Sequence, residues 1–220
     1  LHLSIRRQRQ MCIRDSLLPM GENAMDQRTI TAYSQAASDF AAEWRDQPPP
    51  ADMYALLRQY FIPGGKTADI GCGSGRDVAW LNDAGFPAIG YDAADGLLVQ
   101  ARAAYPALEF RKALLPALDA VSDGTFENVL CETVIMHLPE AEIVAACRRL
   151  RDILKPGGIL YLSWRVTEGI SIQDAVGRLY AAFDQALVHD GLQAMDILLD
   201  LEAVNASSGK RVHRIVARRH

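Results

Sequence analysis

The sequence predicts an α/β fold: a mostly parallel sheet with helices on both faces, closed at the C-terminal end by an antiparallel hairpin. Three observations carry this. Short β-like runs alternate with helical patterns along most of the chain. A glycine-rich turn, Gly71-Cys-Gly-Ser-Gly75, joins the first of these runs to a helix. The last two runs, Met195–Val204 and 211–217, follow one another across Asn205-Ala-Ser-Ser-Gly209 with no helix between them.

Size and composition fit one such domain. The 220 residues are half hydrophobic and 23% charged, with a formal net charge of −4; that is enough chain for a sizeable core. The acid excess gives no electrostatic footprint for nucleic acid or an anionic membrane. No apolar run approaches a membrane span. Cys12, Cys72, Cys131 and Cys147 are far apart and form no C-x-x-C pair, so they read as free thiols of a cytoplasmic protein. The five histidines are scattered without ligand spacing, and no metal is expected.

Residues 1–19 do not match the rest. They hold four arginines and no continuous apolar stretch. The string Met11-Cys-Ile-Arg-Asp-Ser16 resembles translated sequencing-adapter sequence. The expectation is a non-native or disordered leader over 1–19, a natural start at Met20 or Met25, and a single domain over 20–220.

Taken in order, Ile30, Tyr33, Ala37, Phe40 and Trp44 recur at steps of three and four, one face of a helix over 29–44. Pro48-Pro-Pro50 ends it, and a second helix covers 51–60. Core packing explains this aromatic face; so does a helical lid over about 28–60 that closes on a ligand, with Tyr33, Phe40 and Trp44 as its contacts. Ile62-Pro-Gly-Gly65 turns into the first strand, Thr67–Ile70.

The glycine turn follows. Its glycines let a ligand lie against the main chain, and the helix beginning at Arg76 or Asp77 points free N–H groups at that ligand. The dinucleotide fingerprint G-x-G-x-x-G is not matched, because Arg76 stands where it requires glycine. After the helix stops at Gly85, a second strand over 87–91 ends in Asp92, 21 residues beyond Gly71. In a βαβ unit this spacing sets a carboxylate beside the glycine turn, where it can accept from ribose hydroxyls. A helix over 95–105 leads to a short third strand at 108–111. A fourth strand, 126–131, runs on to Glu132. A helix from near Pro139 to about 153, a turn at Lys155-Pro-Gly-Gly158 and a fifth strand over 159–164 come next. A further helix is expected from Gln173 to about His189, packed through Val176, Leu179, Tyr180, Phe183 and Leu187.

Five segments now stand in one order: Ala68-Asp-Ile-Gly-Cys-Gly-Ser-Gly75, Gly90-Tyr-Asp92, Phe126-Glu-Asn-Val-Leu-Cys131, Ile135-Met-His-Leu-Pro139 and Leu154-Lys-Pro-Gly-Gly-Ile-Leu-Tyr161. Together they resemble the class I S-adenosylmethionine (SAM) dependent methyltransferase superfamily, of the small single-domain bacterial type. The resemblance implies a Rossmann-like seven-stranded sheet and SAM as cofactor. It implies that Asp69, Gly71, Cys72, Gly73 and Gly75 form the cradle for the methionine part, that Asp92 holds the ribose hydroxyls with Ala93 flanking the adenine, and that Cys131 contacts the methionine end. Glu132 and His137 would border the acceptor pocket. Arg76, from its charge and position, suits the SAM carboxylate. Many relatives carry an acid after strand 3 that binds the adenine amino group. Here the run is Phe110-Arg-Lys-Ala-Leu-Leu-Pro116, and Ala113 and Leu114 are left to hold adenine by apolar contact.

The function expected is methyl transfer from SAM to a small-molecule acceptor, with no metal, no membrane and no nucleic acid, by a monomer or homodimer. Glu132 and His137 are the candidate bases. Arg165 and Arg178 are candidates for an acidic substrate. The alternatives are methylation of a tRNA nucleoside, a SAM-binding protein without catalysis, and, more remotely, a nicotinamide oxidoreductase. Neither a phosphate-binding G-x-x-x-x-G-K-[ST] loop nor a G-x-S-x-G elbow is present.

Overall fold

The computed structural model describes residues 26–220; the expectations for residues 1–19, Met20 and Met25 fall outside the described residues. Three helices come first, α1 (Gln27–Gln35), α2 (Ala37–Asp46) and α3 (Ala51–Tyr60). The single helix expected over 29–44 is two, bent at Ala36 (φ −102°, ψ 24°). Both faces still meet the molecule: Ala37 and Phe40 pack with Ala94 and Leu97 in a small cluster, and Met53 and Leu57 of α3 are fully buried.

Five strands and three helices then alternate. The strands are β1 (Thr67–Ile70), β2 (Ala88–Asp92), β3 (Glu109–Lys112), β4 (Phe126–Cys131) and β5 (Leu154–Arg165). The helices are α4 (Arg76–Asp83), α5 (Asp95–Ala104) and α6 (Ile143–Asp152). A two-stranded piece, β6 (Ile172–Gln173) with β7 (Leu179–Tyr180), precedes α7 (Gln185–Gly191), and β8 (Met195–Val204) and β9 (Arg211–Arg219) end the chain.

The main sheet has seven strands in the order β3-β2-β1-β4-β5-β9-β8. The first five pair in parallel, and β9 runs antiparallel to both β5 and β8. This is the predicted Rossmann-like doubly wound sheet with its hairpin edge. Parallel strands covered on both faces are buried along their length, as β1 and β4 nearly are. Val129 and Cys131 enter one buried cluster with α6, and Leu130 enters the opposite one with α3 and α4. Thr67, Asp69 and Asn128 are the buried polar residues of these two strands, and Asn128 ties two segments together. Its side chain is fully buried, and it accepts from the Ile62 N–H (2.8 Å) and donates to the Ile62 carbonyl (3.0 Å), tying the turn before β1 to β4.

Chain order reverses between β2 and β4 on either side of β1. Ligands of such sheets bind in the crevice outside the carboxyl ends of the strands at this switch point. The glycine turn after β1 and Glu132 after β4 both sit there.

The helix expected from Gln173 to about His189 is not formed as a unit; only Gln185–Gly191 is helical. Asp174 takes the chain around instead. Its carboxylate accepts from the backbone N–H of Val176 (3.1 Å) and Arg178 (2.9 Å), and Gly177 adopts φ +92°. Such aspartate turns compete directly with helix. The β7 backbone then finds tertiary partners: Leu179 N–H donates to the Thr29 hydroxyl and Ala181 N–H to the Met136 carbonyl, both at 2.8 Å. Apolar spacing alone could not reveal those acceptors.

Candidate functional site

A cavity of about 390 Å³ opens at the switch point, a size normal for small-molecule sites. One end is built by the glycine turn and β2. Gly71 and Cys72 donate their N–H groups to the Tyr91 carbonyl (2.7 and 3.0 Å), which lays the turn against the end of β2. Gly73 (φ +54°) lies under the ring of Trp44, where a Cβ would come within 2.9 Å of the indole. Asp92 faces this turn. Its Oδ2 accepts from Gly73 N–H (2.9 Å) and its Oδ1 from Ala94 N–H (2.8 Å). Burial raises the Asp92 carboxyl above its ordinary value, and these backbone donors pull against that rise. Each oxygen keeps a lone pair for a further donor.

The predicted residues divide into two groups. Gly71, Cys72, Gly73, Arg76, Asp92, Ala93 and Ala113 line the cavity, as do Tyr33, Trp44, Glu132, His137, Arg165 and Arg178. Asp69, Gly75, Leu114, Cys131 and Phe40 are outside its wall. Gly75 (φ +87°) instead lets α4 approach β3, since a Cβ there would meet Phe110 at 2.7 Å. Cys131 is fully buried in the core, and burial pushes its thiol well up. Leu115 joins Ala113 on the wall in place of Leu114. Asp69 is buried behind the turn, and its Oδ2 has no hydrogen-bond partner among the described residues. Burial and the nearby carboxylates of Asp77 and Asp92 drive its carboxyl well above the usual range. Arg76 pairs with Asp77 (3.1 Å) and reaches the Trp44 carbonyl (3.4 Å), while Asp77 also accepts from the Tyr54 hydroxyl (2.6 Å).

The other end of the cavity is aromatic and polar. His137 is held at both nitrogens. Nδ1 is 2.5 Å from the Leu179 carbonyl and Nε2 3.0 Å from the Tyr33 hydroxyl. A carbonyl only accepts, so the proton belongs on Nδ1, and Nε2 accepts from Tyr33. Burial lowers the imidazole to about 4, keeping it neutral. Tyr33 in turn packs on Phe40 and Trp44 (centroids 5.0 and 6.1 Å).

Glu132 is likewise enclosed. Oε1 accepts from Asn205 Nδ2 (2.9 Å) and Oε2 from the Ser163 hydroxyl. Burial pushes its carboxyl up to about 7, against the Ser163 bond and the Arg214 charge. Asn205 belongs to the hairpin connection. Its Oδ1 accepts from the Ser207 and Ser208 N–H groups (3.0 and 2.9 Å), so the β8–β9 turn is locked onto the cavity wall. Lys210, Ser207 and Ser208 reach the wall by the same turn. The sequence signal for them was weak, because only the closing of the hairpin beside β5 brings them there.

A doubly wound sheet with a glycine turn, an acid ending β2 and a cavity at the switch point is the arrangement in which α/β proteins hold nucleoside cofactors. Comparison with known proteins agrees. A family model described as a methyltransferase domain matches residues 68–158. The ubiquinone biosynthesis O-methyltransferase of Methylococcus capsulatus is 34% identical over 119 residues, 52% of this chain and 49% of that protein. Its namesake in Xanthomonas campestris pv. campestris is 32% identical over 158 residues, covering 64% and 65%. The chain spans about half the length of the first of these relatives and under two thirds of the second. Among solved structures, the 1,6-didemethyltoxoflavin-N1-methyltransferase of Burkholderia thailandensis, with 1,6-didemethyltoxoflavin and S-adenosylhomocysteine bound, shares the fold with TM-score 0.70 at 17% identity over 87% of each chain. A SAM-dependent methyltransferase of Methanosarcina mazei gives 0.65 at 16% identity, covering 74% of this chain and 96% of that one. Residues 68–158 thus carry a methyltransferase-domain match, and the fold is the one shared by these SAM-dependent methyltransferase structures.

Proposed function

We propose that this chain is a SAM-dependent methyltransferase acting on a small-molecule acceptor, in the cytoplasm. The observation that carries the reading is Asp92. A carboxylate at the end of β2, fixed by two backbone N–H groups with one lone pair spare on each oxygen, suits a pair of vicinal ribose hydroxyls. Further support comes from the glycine turn itself, whose Gly71, Cys72 and Gly73 line the cavity beside Asp92. The O-methyltransferase names of the curated relatives support the reaction class.

When bound, SAM supplies an activated methyl group on a sulfonium for in-line displacement by the acceptor. The chain's own work is alignment in a dry pocket, and orientation contributes about 7–11 kcal/mol in favourable cases. Asp92 fixes the ribose, and Ala93 and Ala113 give the adenine apolar contact. Helices α1 and α2 form the lid, with Tyr33 and Trp44 turned to the cavity, while α3 packs into the core. Glu132 receives the proton when the acceptor is a hydroxyl: a carboxyl that titrates at about 7 is a competent base at neutral pH. His137 orients Tyr33 and the loop after β4.

Calorimetry with SAM and with NAD on the full chain tests the reading. Micromolar SAM binding is expected, weakened about 10- to 100-fold in Asp92→Asn by the lost charge-assisted bonds, with no heat from NAD. Well-folded protein that binds no SAM overturns it.

A further inference from the structure

The acceptor end of the cavity holds two kinds of cation. Arg178 is committed to the protein. Its Nε donates to Asp174 Oδ2 (2.7 Å), and its guanidinium lies over Phe40, Tyr33 and Tyr180 at 4.8, 5.3 and 5.7 Å. Arg165 is not. Among the described residues its guanidinium has no carboxylate within ion-pair distance and no side-chain hydrogen bond, and it rests on the Tyr180 ring at 5.0 Å. The ammonium group of Lys210 is equally free of a carboxylate partner among the described residues. Both residues line the cavity.

Strand register brings these two charges together. Arg165 of β5 pairs with Val212 of β9, and Lys210 lies two residues before Val212, in the turn just ahead of β9. Val212 itself lines the cavity between them. The acids of the wall do not neutralise this pair. Asp77 is taken by Arg76, Asp92 is held at the far end by backbone, and Glu132 is bonded to Ser163 and Asn205. Glu43 forms no ion pair with either cation.

The same face of β5 carries Tyr161, Ser163 and Arg165. Ser163 donates to Glu132, so Arg165 stands one same-face step further out, about 7 Å along the strand. A single substituted ring bridges that span. Tyr33, Tyr180, Ile30 and Met136 supply flat or apolar wall beside it.

Resting on the methyltransferase reading, we propose that the acceptor is a small aromatic carboxylate. Its carboxylate is bound by the fork of Arg165 with Lys210 as a second charge, and its nucleophilic substituent points toward Glu132. An unpaired arginine in a cavity is matched to a planar oxyanion by its paired N–H donors.

The test is calorimetry on the full chain with benzoate, salicylate and phenylacetate against their uncharged amides, each with and without saturating S-adenosylhomocysteine. At least one carboxylate is expected to bind about tenfold or more tightly than its amide. Arg165→Met removes that preference, Arg165→Lys keeps part of it, and the exposed-site variant Lys210→Met reduces it, all with S-adenosylhomocysteine affinity unchanged. Equal affinity for acid and amide in both conditions, no binding of any probe, or a preference that survives in both Arg165→Met and Lys210→Met overturns the proposal. If S-adenosylhomocysteine does not bind but the Arg165-dependent preference persists, the methyltransferase reading fails and the anion site stands.

Discussion

Glu132 and His137 are candidate bases five residues from each other in the same loop region, and burial moves both toward the neutral form. The outcomes differ. His137, lowered to about 4, has both nitrogens engaged and is neutral at any working pH. Glu132, raised to about 7, divides between acid and carboxylate near neutrality. A carboxyl whose folded value lies above its unfolded one favours the folded state when protonated. Its contribution is fully present below about 4.5 and is lost as pH rises through about 7. The rise corresponds to a cost on the order of 3 kcal/mol at alkaline pH. Glu132→Gln should therefore be more stable than wild type at pH 8 by up to about this amount, with the difference vanishing near pH 4. Denaturant titrations at the two pH values measure it. The rise of kcat/KM through about pH 7 should flatten in the same variant. Equal stability of the two proteins at pH 8 would refute the buried titration. Asp92 was legible from sequence because strand length and spacing fix it beside the glycine turn. Asn205, which holds Glu132, was not, because 73 residues separate the partners and no periodicity links them.

At the scale of elements, the parallel strands and the terminal hairpin were legible to within a few residues. Most contain an apolar stretch bounded by glycine, proline or charged residues, while β5 begins at Leu154, so the expected turn at 155–158 lies inside it. Two helical expectations failed for local reasons. The bend at Ala36 divides one amphipathic pattern into α1 and α2, which keep a common buried side. The segment after β5 carries helical spacing, yet Asp174 and Gly177 close a turn and the freed N–H groups find Thr29 and Met136. Gly177 sits at φ +92° with nothing within 4 Å of a built Cβ. Gly177→Ala thus adds backbone strain without a clash, and it should cost about 1–2 kcal/mol. A denaturant midpoint shift with unchanged m-value is the expected result. A stabilised variant would mean that the segment prefers the helix its spacing suggests.

At the scale of the molecule, one cavity draws on both ends of the sheet. The β1 and β2 ends meet the glycine turn, and the β5 and β9 ends meet the hairpin turn and the aromatic face of α1. Helices α1 and α2 bridge the two halves, because Tyr33 bonds His137 while Trp44 lies on Gly73. A ligand seated at the glycine turn therefore touches parts of the chain that the sequence holds more than a hundred residues apart. It should stabilise the fold as one cooperative unit. Binding to the folded state alone adds RT ln(1 + [L]/Kd), about 2.7 kcal/mol at a ligand concentration of 100 Kd. For a chain of this size each kcal/mol moves the midpoint by about 2–4 °C. SAM at that concentration should thus raise the unfolding midpoint by about 5–10 °C in a single transition, and NAD should leave it unchanged. Scanning calorimetry separates the possibilities. A shift confined to one of two resolved transitions would mean that the helices at 27–60 unfold apart from the sheet, and the bridging role of Tyr33 and Trp44 would fall with it.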